Sequence, residues 1–259
     1  MVVTGGSGYL GRALAAHAAA TGWAVTATSH SVPGPARLDV REPAEVHALL
    51  DPLRPAAVVH TAYVQHGPGA WEVTAGGSGV VAAAARAVGA RLVHLSTDVV
   101  FDGRAGRPYT EADPVSPLSD YGRAKAEAER LVAEADPGAV MVRTSLVYGG
   151  PGRPPSPHEQ VATDPDATFF TDELRCPVQV DDLAAALLEL CRIEFAGPLH
   201  VAGPDAVSRW EFAGLVARRP VRGAPAPPGR PRDCRLDSTR ARALLATPLR
   251  GVRTVLAPQ

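Results

Sequence analysis

The first eleven residues, MVVTGGSGYLG, place spaced glycines between a short β-branched run and an alanine-rich, helix-forming stretch. A strand that turns directly into a helix through glycines leaves backbone N–H groups at the positive helix end, where a pyrophosphate can approach. Gly5, Gly8 and Gly11 are the glycines expected to permit the tight turn and the close approach, with Ser7, Tyr9 and Leu10 completing the phosphate loop. Such a loop can also be a plain strand-to-helix turn, but its place at the first βα junction favours dinucleotide binding.

Beyond the loop, short β-branched runs alternate with longer alanine-rich stretches, the order of βαβ units around a parallel sheet. Residues 1–4, 23–28, 57–61, 91–96 and 139–144 read as buried strands. Residues 9–20, closed by Gly22, then 43–53, about 79–88 and 120–135 read as helices. Right-handed crossovers stack these into an α/β fold, a Rossmann-type doubly wound parallel sheet with a small C-terminal substrate-binding lobe. Residues 1–148 form the expected dinucleotide-binding core, and 149–259 mainly the lobe, with some segments returning to the core. In the lobe, 167–171 and 199–202 read as strands and 181–192 as a helix. A further helix is expected over 209–217 with Ser208 as its N-cap, and the proline-rich 218–233 as a surface loop.

A chain of 259 residues with 46% apolar content can bury one substantial core, and a formal net charge of -1 gives no pull toward nucleic acid or an anionic membrane. Small-molecule chemistry is the default. The three cysteines, Cys176, Cys191 and Cys234, are scattered and lack CxxC spacing, so they read as buried thiols, with no disulfide framework and no metal site. The chain enters a strand at once, with no basic or apolar leader and no run of spanning length, which reads as a cytoplasmic protein.

Folds of this type that use NAD place an acid about 20 residues beyond the glycine motif, on the ribose 2′-hydroxyl. Here the corresponding stretch is Thr28, Ser29, His30 and Ser31. With no carboxylate there to repel a 2′-phosphate, and with Arg12 and His30 at hand, NADPH is favoured and NADH stays admissible; the same residues also suit an ordinary polar loop.

The chemical signal is Ser96-Thr97 at the carboxyl end of a strand combined with Tyr121-Gly-Arg-Ala-Lys125 entering a helix. Residues 121 and 125 lie one helical turn apart, so an ammonium can stand near the phenol, where it favours the phenolate and primes a proton donor. Thr97 can hydrogen-bond a carbonyl oxygen on which negative charge develops. A YxxxK pair alone is common by chance in helices, but its combination with a glycine loop and a strand-end hydroxyl is not.

Ordered motifs along nearly the whole chain carry a resemblance: TGGSGYLG at 4–11, LDV at 38–40, LSTDVVFDG at 95–103, PYTEADPVSPLSDYGRAKAEAE from 108, RTSLVYG from 143, DELRCPVQVDDLA from 172, HVAGPDAVSRWEFA from 200 and RPRDCRLD from 230. The chain resembles the extended short-chain dehydrogenases/reductases, specifically the dTDP-4-dehydrorhamnose reductase family. The resemblance implies a catalytic trio of Thr97, Tyr121 and Lys125. It implies Asp39 and Val40 beside the adenine, Thr61, Ala62 and Tyr63 along the cofactor, Thr144 and Ser145 near the nicotinamide, and Tyr121 and Lys125 reaching the cofactor as well. It implies NADPH-dependent reduction of a 4-keto-6-deoxy sugar nucleotide, with that sugar nucleotide as the partner. A homodimer is compatible with the fold.

The sequence departs from the family at instructive places. Val99 and Leu146 stand where the family carries a tyrosine and a tryptophan that contact the sugar, and Thr74 stands where it carries an asparagine that helps organise the lysine. Asp98 is followed by valine, whereas related dehydratases have glutamate, which argues for simple reduction. The other alternative is a non-catalytic, dinucleotide-binding regulatory protein like the methionine adenosyltransferase regulatory subunit. Arg175 is the expected phosphate ligand of the substrate, weighed against a salt bridge. Asp181 and Asp182 read as helix-start carboxylates, His60, His94 and His200 as packed core histidines, and Trp71 and Trp210 as core or cleft wall.

Overall fold

A computed structural model describes residues 1–257. In chain order the elements are β1 (Val2–Thr4), α1 (Tyr9–Ala20), β2 (Thr26–Ser29), β3 (Ala36–Arg37), α2 (Pro43–Leu53), β4 (Ala57–His60), α3 (Gly77–Ala87), β5 (Arg91–Thr97), α4 (Asp120–Ala135) and β6 (Val140–Thr144). There follow β7 (Val147–Tyr148), α5 (Pro157–Thr163), β8 (Thr168–Phe170), β9 (Leu174–Arg175), β10 (Val178–Gln179), α6 (Val180–Leu190), β11 (Gly197–His200), β12 (Val207–Ser208), α7 (Arg209–Ala217), β13 (Arg222–Ala224), α8 (Thr239–Leu244) and α9 (Val252–Val255).

A seven-stranded sheet runs in the order β11-β6-β5-β4-β1-β2-β3, and the pairs β1–β2, β1–β4, β2–β3 and β4–β5 are parallel. This is the doubly wound arrangement expected from the alternating pattern. Strand order reverses at β1 and β4, so the connections leave in opposite directions and open a crevice at the carboxyl ends of these strands.

Contacts divide the chain into two compact units, the first of residues 1–96, 120–142 and 184–198 and the second of 97–119, 143–183 and the chain from 199 onward. The first unit packs Val2, Val58 and Leu92 of the sheet against Val81, Ala84 and Val132 of the helices. In the second, β7 pairs with β10, β9 with β12 and β8 with β13, and one apolar cluster joins Leu146, Tyr148, Val207, Phe212, Val252 and Leu256. Among the described residues no helix is long and apolar enough to cross a membrane.

Several boundaries differ from the pattern for physical reasons. β2 begins at Thr26 because its partner strand begins at Val2, which registers with Thr26. α3 begins at Gly77 and follows a π-helical turn, Glu72–Gly76, where apolar periodicity suggested a later start. The proline-rich stretch at 218–233 contains β13, which gains a parallel partner in β8. Trp71 and Trp210 are 50% and 43% exposed, so neither is core; the Trp210 indole N–H instead donates to the Val221 carbonyl at 2.9 Å. His60, His94 and His200 are fully buried, as are the three free cysteines. Ser208 caps α7 by accepting from the Glu211 N–H at 3.0 Å.

The turn into α1 leaves no room at its third glycine. A Cβ on Gly11 would overlap the Gly5 carbonyl oxygen and approach Gly6 Cα to 2.8 Å, all of it backbone that cannot move aside cheaply. Gly11→Ala is expected to destabilise the protein by roughly 2–3 kcal/mol through overpacking, read as a lowered midpoint in urea unfolding without cofactor.

Candidate active site

Gly5 adopts φ +70°, and a Cβ there would lie 2.7 Å from the Ala62 amide nitrogen, so only glycine lets the β1 turn pass this close to the chain leaving β4. The Gly8 N–H donates to the Gly5 carbonyl at 2.9 Å and the Gly6 N–H to Thr28 at 2.8 Å, which closes the loop against the end of β2. Beside this loop lies a cavity of about 370 Å³ at the carboxyl ends of β1, β2, β3 and β4.

The cavity brings together Gly5, Ser7 and Gly8 from the loop, Ser29 and His30 after β2, Asp39 and Val40 after β3, and Thr61, Ala62 and Tyr63 after β4. Ser7 and Ser29 are tied hydroxyl to hydroxyl at 3.0 Å. Leu10 and Gly11 are buried in α1 and are not part of its wall, nor is Tyr9. Arg12 donates to the Ser7 carbonyl and so braces the loop from outside.

A carboxylate does face this cavity, but it is neutralised. Asp39 accepts from Arg41 Nε at 2.9 Å and Nη2 at 2.6 Å, and His30 Nε2 stands 3.4 Å away. The Arg41 hydrogen bonds hold the Asp39 carboxyl down at about 2, against the opposing pull of its burial. Arg41 lies outside the motifs, and its only sequence signal is a cation two residues after Asp39.

Tyr121 and Lys125 share one face of α4, as their spacing dictates. The Lys125 ammonium is 2% exposed, donates to the Leu95 carbonyl of β5 at 2.8 Å and lies 5.4 Å from the centre of the Tyr63 ring. That ring also meets the Tyr121 ring, 5.6 Å between centres, so one wall residue of the cavity touches both members of the YxxxK pair. Burial pushes Lys125 down to about 8, with Glu129 one turn along α4 opposing the fall. Glu129 is anchored by Ser96 of β5, whose hydroxyl donates to it at 2.5 Å. Beneath them His60 and His94 stack with ring centres 5.4 Å apart, and burial, then the Lys125 charge, keep both imidazoles neutral.

One composition signal bears directly on this site: the chain has 25 arginines and a single lysine, and that lysine is Lys125. Where every other cation is arginine, lysine marks a position that needs a group able to shed its proton on burial, which guanidinium does not do.

In the second unit Thr97, the last residue of β5, caps the short turn Asp98–Val100 by accepting from the Val99 N–H at 3.4 Å. The Thr144 hydroxyl donates to the Val201 carbonyl at 2.8 Å. Val99 is half-buried, and Leu146 is packed inside the apolar cluster of this unit, 7% exposed, where it serves the core. Arg175 is 4% exposed and spends its donors on the carbonyls of Leu174, Pro231 and Arg232, with Asp98 at 3.6 Å and Glu173 at 3.8 Å. That is a guanidinium structuring its own loop, which corrects the reading of Arg175 as a surface phosphate ligand. Burial raises the Asp98 carboxyl, and Arg175 and the Ser145 hydroxyl, at 2.6 Å, counter it. Asp181 and Asp182, at the start of α6, are engaged by Arg153 and Arg250.

Two outcomes follow. Arg175→Ala leaves Asp98 buried without its cation and is expected to cost roughly 3–5 kcal/mol in unfolding free energy. For Lys125, the native state releases its proton near 8 while the unfolded chain keeps it to about 10.5, so stability rises with pH across that window, by up to about 3 kcal/mol. Urea unfolding at about pH 7 and about pH 10 should show that rise in the wild type and lose it in Lys125→Met.

Comparison with known proteins agrees with this geometry. The family model described as the RmlD substrate binding domain matches residues 1–258. A dTDP-4-dehydrorhamnose reductase from Mycobacterium tuberculosis is 35% identical over 99% of this chain and 91% of its own length. Methionine adenosyltransferase 2 subunit beta from Rattus norvegicus is 28% identical over 100% of this chain and 87% of that protein. The crystal structure of a dTDP-4-dehydrorhamnose reductase ortholog from Clostridium acetobutylicum superposes with a TM-score of 0.84 at 27% identity, covering 98% of this chain and 96% of that one. The chain belongs to the dTDP-4-dehydrorhamnose reductase family of extended short-chain dehydrogenases/reductases.

Proposed function

We propose that this protein uses NADPH to reduce the keto group at C4 of a 4-keto-6-deoxy sugar nucleotide, dTDP-4-dehydrorhamnose or a close analogue, to the 4-hydroxy sugar. The observation that carries the reading is the meeting, on the Tyr63 ring, of a cavity built at the switch point of the sheet with the Tyr121–Lys125 pair. The cavity fits a dinucleotide: Gly5 and Gly8 clear the approach of phosphate to backbone N–H groups, and Thr61 and Ala62 wall the side that β4 supplies. Near the end of β2, His30 and Arg41 offset Asp39, which suits a 2′-phosphate and supports NADPH over NADH.

When bound, the nicotinamide group supplies the hydride that reduces the sugar carbonyl. Tyr121 donates the proton that the carbonyl oxygen takes up, and the nearby ammonium of Lys125 favours the phenolate left behind. Thr97 offers its hydroxyl to the same oxygen as charge builds on it. With Arg175 and Leu146 packed inside the second unit, substrate affinity rests on other residues there.

A regulatory, non-catalytic protein shares the fold and the cofactor cavity but has no need of a lysine that gives up solvation to lie buried beside a phenol. NADPH oxidation measured with a panel of dTDP-4-keto-6-deoxy sugars should be seen for the wild type. In Tyr121→Phe it should fall by about 10²–10⁴-fold, with NADPH binding retained. No oxidation by wild-type protein that still binds NADPH would favour the regulatory reading.

A further inference from the structure

Thr74 has no exposed surface and sits at the centre of the π-helical turn Glu72–Gly76 that precedes α3. Single π turns inside helices recur at functional sites, because they shift a side chain out of the regular helical register. The Thr74 hydroxyl donates to the Val64 carbonyl at 2.9 Å and accepts from the Val64 N–H at 3.0 Å. One side chain thus holds both polar backbone groups of a single residue in the loop leaving β4.

Thr74 is itself held from behind. The Ser78 hydroxyl donates to the Thr74 carbonyl at 2.7 Å, His60 Nε2 lies 3.1 Å from that hydroxyl, and His60 Nδ1 lies 2.6 Å from the Thr4 hydroxyl. A buried hydrogen-bonded chain therefore runs from the strand preceding the glycine loop, through β4 and α3, to the backbone of residue 64. The residue before Val64 is Tyr63, whose ring faces Lys125 and Tyr121.

We propose that Thr74 is a positioning residue, which by clamping Val64 holds the Tyr63 ring over the Lys125 ammonium and beside Tyr121. Its consequence for turnover rests on the reductase reading above; the clamp itself rests on contacts within the first unit. The groups facing Lys125 are Glu129 and, one turn earlier, Tyr121 from α4, His94 from β5, His60 from β4 and Tyr63 from the loop. Of these, only Tyr63 stands on an irregular segment, 47% exposed, and needs a tether to stay in place. Freed, the ring admits water to the ammonium and restores the solvation that keeps a lysine protonated.

Because Lys125 is the only lysine, ¹³Cε-lysine labelling gives one side-chain resonance that reports its titration directly. Thr74→Val, which keeps the shape and loses both hydrogen bonds, should raise the Lys125 midpoint by about one pH unit. Thr74→Ser, which keeps the hydroxyl, should restore the wild-type midpoint. Tyr63→Leu should repeat the rise, and carries the test if Thr74→Val does not fold. In turnover, Thr74→Val should lower kcat by about ten- to a hundredfold and move its pH profile with the midpoint, leaving the sugar KM near the wild-type value. An unchanged Lys125 midpoint in folded Thr74→Val, or in Tyr63→Leu, would overturn the proposal. Failure of the wild type to oxidise NADPH would overturn the reductase reading and leave the titration to decide the clamp.

Discussion

The close approach of the β1 turn to the chain leaving β4 is the contact on which the rest of the first unit depends. Gly5 packs its bare Cα against the Ala62 backbone and Gly11 lies against the Gly5 carbonyl, so any side chain at either place pushes backbone against backbone. That approach sets β1 beside β4 at the point where strand order reverses, and the same reversal opens the crevice at their carboxyl ends. The loop that forms the crevice wall, residues 61 onward, then carries Tyr63 to α4.

A second constraint is electrostatic. Burying an ammonium costs free energy unless it is hydrogen-bonded, and Lys125 has one backbone carbonyl, an aromatic face and a carboxylate one turn away. This is enough to hold it but not to keep its proton as firmly as water does, so its proton affinity falls toward the range in which a proton donor works. The stacked His60 and His94, being neutral, add no second charge to the pocket. The fold thus tunes its single lysine by withholding solvent and supplying few counter-charges.

The second unit uses charge in the opposite way. Asp98, Glu173 and Arg175 are buried together, with Ser145 and three loop carbonyls completing their hydrogen bonds. Such a network fixes loops that have little regular structure of their own: β9, β10 and β12 are two residues each. It also explains why a guanidinium near the expected sugar diphosphate is no phosphate ligand, since its donors are already engaged.

The sequence by itself determined the order of the βαβ units, the glycine turn, the bounds of α1, α2, α4 and α7 and the pairing of Tyr121 with Lys125. Each of these depends on local periodicity or on spacing within one helix turn. What it left open are contacts between residues far apart in the chain. β13 exists because β8 lies beside it, and Arg175 is structural because Asp98 and the carbonyls at 231 and 232 surround it. Asp39 is tolerable near a 2′-phosphate because Arg41 folds back onto it. Thr74 looks from the sequence like the loss of an asparagine, and only the tertiary structure shows its hydroxyl closing on Val64. Periodicity states which face of an element is apolar, but a hydrogen bond or ion pair is decided by which polar groups folding strands together out of reach of water.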